Sequence, residues 1–254
     1  RRARDPGSSA MADDCRLTIA TYNVHSCLGT DGRYDVERVA RVIRDLDADV
    51  VALQEVESPN GEPGGLDQLS ALAAAADYPV GVDGPTRQCR RGPFGNAVLT
   101  RLPVEAVRRI DLSIPQHEAR GAVDVDLRCG ATTIRVVATH FGLRHQERRA
   151  QWVRLLDHWS AIATPAVLLG DFNHWWWRDR LLAMIEQRLG ATPALRTFPS
   201  RRPVFALDRM WTRPTRALRS LRVVDTPTTR VASDHLPLRA ELVFDDVPPA
   251  ARLS

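Results

Sequence analysis

Three features of the chain predict a layered α/β fold. Strand-like segments are interleaved with a few amphipathic helical ones, a segment near residue 50 is apolar almost throughout, and no internal repeat or mid-chain linker divides the 254 residues. Two sheets packed face to face, with helices outside, would bury the strand faces on both sides. An open doubly wound sheet ranks second, because periodicity by itself does not separate the two.

Residues 1–14 are small and polar and are expected to form a flexible N-terminal segment, with Met11 a candidate natural start. Arg1-Arg2 is followed by no apolar stretch of the kind a secretory signal carries. Residues 16–24 alternate, placing Leu17, Ile19, Thr21 and Asn23 on one face of a strand. Asp35 stands where a helix N-cap belongs, and Val36, Val39, Ala40, Ile43 and Leu46 follow at helical spacing. Residues 49–56 form the apolar and therefore central strand. Residues 58–65 read as a Pro/Gly-rich loop and 66–76 as a helix. Strands are expected at 96–100, 104–112, 121–128 and 132–140, a helix at 146–162, a buried strand at 166–170 and a short helix at 178–188. Strands at 205–211, 218–224 and 238–244 complete one domain spanning 15–245. Residues 246–254, with Pro248-Pro249, read as a C-terminal tail.

Composition sets outer bounds. With 44% hydrophobic and 26% charged residues the chain has the make-up of a soluble globular domain. No apolar run approaches the roughly 18 residues that cross a bilayer, so no integral membrane segment is expected. Cys15, Cys27, Cys89 and Cys129 are scattered without a C-x-x-C pair, which disfavours zinc and a dense disulfide framework. A reducing, cytoplasmic location is then the default. All 35 Lys+Arg positions are arginine, and the formal charge is +4. That excess suits a phosphorylated substrate but is too small to mark a nucleic-acid groove. Nothing in the sequence reports the oligomeric state.

Function is written at the strand tips. Asn23, Glu55 and His140 lie at or near strand ends, Asp171 and Asn173 follow a buried strand, and Asp234-His235 precede the last one. Polar groups beside apolar strands are costly unless they meet one another or a ligand. Carboxylates and amide oxygens suit a hard cation such as Mg²⁺ or Mn²⁺, and histidines suit proton transfer near neutral pH.

The motifs Tyr22-Asn23-Val24, Leu53-Gln54-Glu55-Val56, Gly95-Asn96-Ala97, Thr139-His140, Gly170-Asp171-Phe172-Asn173 and Ser233-Asp234-His235 together resemble the endonuclease/exonuclease/phosphatase superfamily. Its members include deoxyribonuclease I, abasic-site endonucleases, sphingomyelinases and inositol-phosphate phosphatases. The resemblance runs in order from residue 17 to 244. It implies a four-layer αββα sandwich and a divalent-metal-dependent phosphoesterase, with Mg²⁺ or Mn²⁺ as cofactor. By position, Asn23, Glu55 and Asp234 correspond to the metal site. Asp171 corresponds to the residue that orients or deprotonates water, and Asn173 to a phosphate contact. His235 corresponds to the acid–base histidine, Asp208 to its orienting partner, and His140 to the second histidine of the deoxyribonuclease and sphingomyelinase branches. His140, where abasic-site enzymes usually carry tyrosine, and His25, where they carry an acid, argue against that specialisation. The segments at 139–143, 171–175 and 198–203 are most similar to a bacterial branch, part of which is associated with phospholipid metabolism. The resemblance therefore implies a phosphodiester substrate, small or lipid-like first and nucleic acid second. A catalytically inactive binding protein of the same fold is the alternative from another class.

Three further residues are candidates for contact with substrate. Asn96 reads as a brace for the site or a substrate contact, and Arg120 as phosphate-facing or structural. Trp175 opens the run Trp175-Trp176-Trp177, whose rings cannot share one face. At least one should pack in the core, and the rest can form an aromatic lip supplemented by Arg201-Arg202. His25 joins the site if the first strand continues through it, while His117, His145 and His158 read as surface or core residues.

Overall fold

The computed structural model describes residues 15–57, 67–89, 92–175 and 180–245. The chain runs β1 (Cys15–Asn23), α1 (Val36–Asp45), β2 (Val50–Glu57), α2 (Gln68–Ala75), β3 (Val80–Cys89), β4 (Gly92–Thr100), β5 (Val104–Asp111), β6 (Gly121–Cys129) and β7 (Thr132–His140). It continues with α3 (His145–Ser160), β8 (Ala166–Asp171), α4 (Arg180–Leu189), β9 (Asp208–Arg213), β10 (Leu218–Val223), α5 (Thr229–Ala232) and β11 (Leu238–Phe244). The expected N-terminal segment, the loop at 58–65, the start of the helix at 178, Trp176, Trp177 and the tail from 246 lie outside the described residues.

Two mixed sheets form, in the orders β10-β11-β1-β2-β4-β3 and β5-β6-β7-β8-β9. Their inner faces share a core that includes Ile19, Val50, Val125, Val136, Val167 and Leu242. Val39, Ile43 and Leu72 of α1 and α2 cover the outside of the first sheet, and Trp152, Trp159 and Ile185 of α3 and α4 the outside of the second. This is the four-layer αββα sandwich, and the open doubly wound alternative is excluded. The apolar run in β2 is explained: it lies between β1 and β4 and is buried on both faces.

Each sheet holds one parallel pair. β1 runs parallel to β2, with Asn23 beside Gln54, and β7 runs parallel to β8, with His140 beside Asp171. Antiparallel β9 begins at Asp208, directly opposite Asp171, and β11 begins at Leu238 opposite Thr21. The ends of β1, β2, β7 and β8 and the starts of β9 and β11 therefore share one end of the sandwich.

Several boundaries differ from those read in the sequence. Asp35 does cap α1, its Oδ1 accepting from Arg38 N at 2.9 Å, and Asp67 caps α2 in the same way. β3 was not anticipated, because Gly81, Gly84 and Pro85 break any alternation; as an edge strand it tolerates the proline. The strand expected at 205–211 starts only at Asp208, and Phe205 instead bridges to Phe198. Backbone extension stops at Val24 and turns through His25, Ser26 and Cys27, all at positive φ.

Cys15 and Cys129 form a disulfide between β1 and β6, joining the two sheets across 114 residues of chain. No local spacing announces such a pair. Its presence removes the cysteine-based argument for a reducing compartment. On the other side of the second sheet, both oxygens of the fully buried Asp124 share the single N–H of Arg135 Nε, at 2.8 and 2.9 Å, and the carboxylate meets His158 of α3. That ion cluster ties α3 to β6 and β7 and accounts for His158. Among the described residues no helix is long and apolar enough to cross a membrane.

Closing a loop of this length restricts the unfolded chain, so the disulfide is expected to contribute about 2–5 kcal/mol. Urea titrations of oxidised protein against the Cys15→Ala/Cys129→Ala variant check this. Coincident midpoints would mean that the cross-link is energetically idle.

Candidate active site

The Asp171 carboxylate lies at the end of β8, 1% exposed, at the meeting point of both sheets. Its Oδ1 accepts from Asn173 N at 2.8 Å, and its Oδ2 accepts from Asn23 Nδ2 at 3.1 Å across the sheet interface. Asn173 has a φ of 49°, a left-handed turn that folds it back over Asp171. Its Nδ2 donates to Phe141 O at 2.9 Å and lies 3.1 Å from His140 Nε2. Burial is the main force raising the Asp171 carboxyl pKa; His235 pulls in the opposite direction and Asp208 adds to the rise.

Two imidazoles approach the same Asp171 oxygen, His140 Nε2 at 3.4 Å and His235 Nε2 at 3.7 Å. Their far sides face opposite charges. His235 Nδ1 donates to Asp208 Oδ2 at 2.9 Å, and Asp208 is held in turn by the Thr197 hydroxyl at 2.5 Å. Burial alone would lower the His235 pKa, but Asp208, Asp171 and Asp234 together outweigh it and raise the value, keeping the ring protonated at neutral pH. His140 Nδ1 instead faces Arg120 Nη1 at 3.0 Å. Guanidinium can only donate, so Nδ1 accepts, and a neutral ring then carries its proton on Nε2, facing Asp171 Oδ2 at 3.4 Å. In that tautomer the Asn173 amide, also a donor, is held by Phe141 O and makes no hydrogen bond to Nε2. Burial, and then Arg120, push the His140 pKa well below its usual value. Asp208 is thus spent on His235 rather than on a neighbouring arginine; Arg209 pairs with Glu186.

Beyond Asn23 lie two carboxylates with no such compensation. Glu55 sits at a bulge where β2 pairing with β4 shifts between Leu53 and Val56, and its φ is 59°. The bend carries its carboxylate to Asn23, whose Nδ2 donates to Oε1 at 3.0 Å. Asp234 follows Ser233, which donates from Oγ to Asn23 O at 2.7 Å. In a chain with 35 basic residues, neither carboxylate has an arginine partner among the described residues; the cation-capable group at Asp234 is His25 Nδ1, 3.9 Å away. This is a hard-oxygen pair suited to a divalent cation. Asn23 itself turns Nδ2 toward Glu55 and Asp171, while its Oδ1 accepts from His25 N at 3.0 Å. As arranged it brackets the two carboxylates through Nδ2, and Oδ1 would reach an ion only by leaving the His25 amide.

A second group, Asp171, Asp208 and His235, brings donor atoms within 4.8 Å of one another and can also hold an ion. There Asp208 Oδ2 is held by His235 Nδ1 while its Oδ1 has no hydrogen-bond partner among the described residues, and an ion would have to displace a proton from His235 to bind the ring.

These groups open on a cavity of about 400 Å³. Leu143, Trp175, Phe198 and Leu207 form its apolar wall, and Arg87, Glu118 and Arg120 its charged wall. Trp175 is half-buried and packs edge-on against Phe198 and Phe205, so it serves core and cavity together. Asn96 is not in this wall: its Nδ2 donates to Gly121 O at 2.8 Å, a strut from β4 to β6, and it borders a larger cavity of about 720 Å³ between α2, β3 and β4. None of the catalytic candidates lines that larger space. Arg201 binds Thr30, at 3.0 Å to its hydroxyl and 2.8 Å to its carbonyl, instead of entering the site. Sequence reasoning missed Arg87, Glu118, Phe198 and Thr197, whose roles depend on contacts between distant loops that leave no local signal.

The description of the endonuclease/exonuclease/phosphatase family matches residues 20–235. The uncharacterised protein YbhP of Escherichia coli strain K12 is 29% identical over 247 residues, covering 88% of this chain and 95% of YbhP. An endonuclease/exonuclease/phosphatase from Beutenbergia cavernae has a similar structure, with a TM-score of 0.75 at 25% identity over 92% of this chain and 73% of that one. A family protein from Bacteroides thetaiotaomicron gives 0.72 at 18% identity, over 91% and 99% of the two chains. Members of the family are typically phosphoester hydrolases and commonly use divalent metals. Taken with the two-sheet architecture and the convergence of its strand-tip residues, the match over residues 20–235 means that this chain belongs to the endonuclease/exonuclease/phosphatase family.

Proposed function

We propose that the chain is a divalent-cation-dependent phosphodiesterase that hydrolyses a small or lipid-like phosphodiester by attack of water on phosphorus. The observation that carries this reading is the Asp171 carboxylate between two imidazoles, one backed by Asp208 and the other by Arg120, next to a carboxylate pair with no arginine partner among the described residues. Glu55 and Asp234 would hold Mg²⁺ or Mn²⁺, which when bound polarises a phosphoryl oxygen. Asp171 orients the water and accepts its proton, a task its raised pKa favours. His235 offers Nε2–H to the phosphate, stabilises the charge that develops there and supplies a proton to the leaving oxygen. Asp208 holds that ring in place. His140 donates through Nε2–H without changing charge, positioned by Arg120, and Asn173 supplies an amide contact to phosphate.

The apolar wall of Leu143, Trp175, Phe198 and Leu207 favours a lipid-like or aromatic ester arm. The arginines of the opposite wall favour the nuclease alternative. A hydrolysis panel of bis(p-nitrophenyl) phosphate, phospholipid vesicles, plasmid and abasic duplex separates them. No turnover on any substrate would leave the inactive binding protein.

Metal dependence is expected to be complete. Chelator should abolish turnover, Mg²⁺ or Mn²⁺ should restore it, and Glu55→Ala should weaken cation binding in calorimetry. Full activity in excess chelator contradicts the assignment.

His235→Ala should lower kcat by roughly 10²–10⁴, the range of an acid–base group. Because Asp208 acts only through that ring, adding Asp208→Asn should cost little more. Independent, multiplicative losses would make Asp208 purely structural.

Trp175→Ala should raise KM for substrates with a bulky apolar arm far more than for a minimal aryl methyl phosphodiester. An equal rise on both would assign Trp175 to packing alone.

A further inference from the structure

The charged wall of the cavity contains two arginines in different settings, one buried and one exposed. Arg120 is buried, gives Nη1 to His140 at 3.0 Å and Nη2 to Glu118 at 3.2 Å. Both terminal nitrogens are already held, one by His140 and one by Glu118, and the Nη1 contact positions His140. Arg87 differs. It stands on β3 opposite Phe94 of β4, and its guanidinium lies 4.4 Å above the Phe94 ring. Stacking of this kind fixes the plane of the guanidinium while leaving its edges open. Its Nε faces Glu118 Oε1 at 3.2 Å. Neither Nη makes a hydrogen bond to the described residues, and the side chain is 40% exposed. Glu118 is thus shared by two guanidiniums, so this wall carries one uncompensated positive charge.

From these contacts we infer that Arg87 forms a second anion subsite, taking a phosphate group that the substrate carries in addition to its scissile phosphodiester. This deepens the phosphodiesterase reading and rests on it. Two terminal N–H groups in one plane match two oxygens of a phosphate, the forked geometry in which guanidinium binds such groups most tightly. The subsite is joined to the reaction centre through Glu118, Arg120 and His140, each contact at 3.0–3.2 Å. One cavity therefore gathers three settings: the Glu55 and Asp234 carboxylates, Asp171 where the scissile phosphate would lie, and Arg87 for a second phosphate. Neutral and singly charged diesters fill only part of it. A neighbouring phosphate in a nucleotide and a phosphorylated glycerol headgroup present the same chemistry, and the test distinguishes them.

Two pairs of chromogenic substrates read the subsite. One is the p-nitrophenyl ester of thymidine 5′-phosphate with and without a 3′-phosphate. The other is the p-nitrophenyl ester of glycerol phosphate with and without a second phosphate. In wild-type protein the second phosphate should lower KM about tenfold or more in at least one pair, with kcat little changed, as expected for a charge-assisted hydrogen bond made equally in ground and transition states. The pair that responds identifies the source. Arg87→Gln should collapse that ratio toward one, Arg87→Glu should invert it, and Arg87→Lys should restore only part of it, since the fork is lost. No preference in either pair, or a preference that survives Arg87→Gln, overturns the subsite. If no diester is hydrolysed at all, the phosphodiesterase reading fails separately. Calorimetry on the metal-free protein then decides the subsite: pyrophosphate binding tighter than phosphate, with the difference lost in Arg87→Gln, supports it, and equal binding overturns it.

Discussion

A carboxylate buried where two sheets meet imposes its demands on everything around it, and Asp171 is in that position. Ionised and 1% exposed, it would be costly without partners. It receives Asn23 from the other sheet, the backbone of Asn173 from its own turn, and two imidazoles from above. Those imidazoles must then be fixed as well, which brings in Asp208 and Thr197 behind one and Arg120 behind the other. Chemistry and architecture are coupled through this group: the Asn23–Asp171 hydrogen bond spans 148 residues of sequence and ties the two sheets together at the catalytic end.

The opposite environments of His235 and His140 divide labour between chemically identical side chains. A carboxylate behind one ring keeps it charged; burial, with a guanidinium behind the other, keeps that ring neutral and turns its Nδ1 lone pair toward Arg120. Groups whose environments push their pKa values apart are the usual mark of assigned acid and donor roles. Local strain serves the same end. Glu55 and Asn173 both hold left-handed φ values without being glycine, a cost of about 1–3 kcal/mol each that persists only where surrounding contacts enforce it. In both cases the distortion turns a side chain out of a regular strand or loop path and into the site.

Much of this was legible in the chain because strands buried on one or both faces advertise themselves. β7 and β11 have the limits their alternation suggests, and the polar residues at their ends stand out against apolar neighbours. β3 was invisible, since glycine and proline erased its pattern while an edge position still allowed it to pair. The residue types of the site were legible; its orientations were not. Whether Asn23 turns oxygen or nitrogen toward Glu55 depends on the amide of His25, and that depends on a left-handed turn the sequence does not announce. The Cys15–Cys129 bond and the Arg87–Glu118–Arg120 wall likewise arise from contacts between distant segments.

The protonation of the two imidazoles is the claim on which the account turns, and it can be observed without any substrate. Long-range ¹H–¹⁵N correlation spectra of ¹⁵N-histidine-labelled protein, assigned with His140→Gln and His235→Gln variants, report which ring nitrogens carry protons. At pH 7 His235 should be an imidazolium with both nitrogens protonated, and His140 a neutral ring with its proton on Nε2. A neutral His235, or a His140 protonated on Nδ1, would contradict the assignment of roles around Asp171.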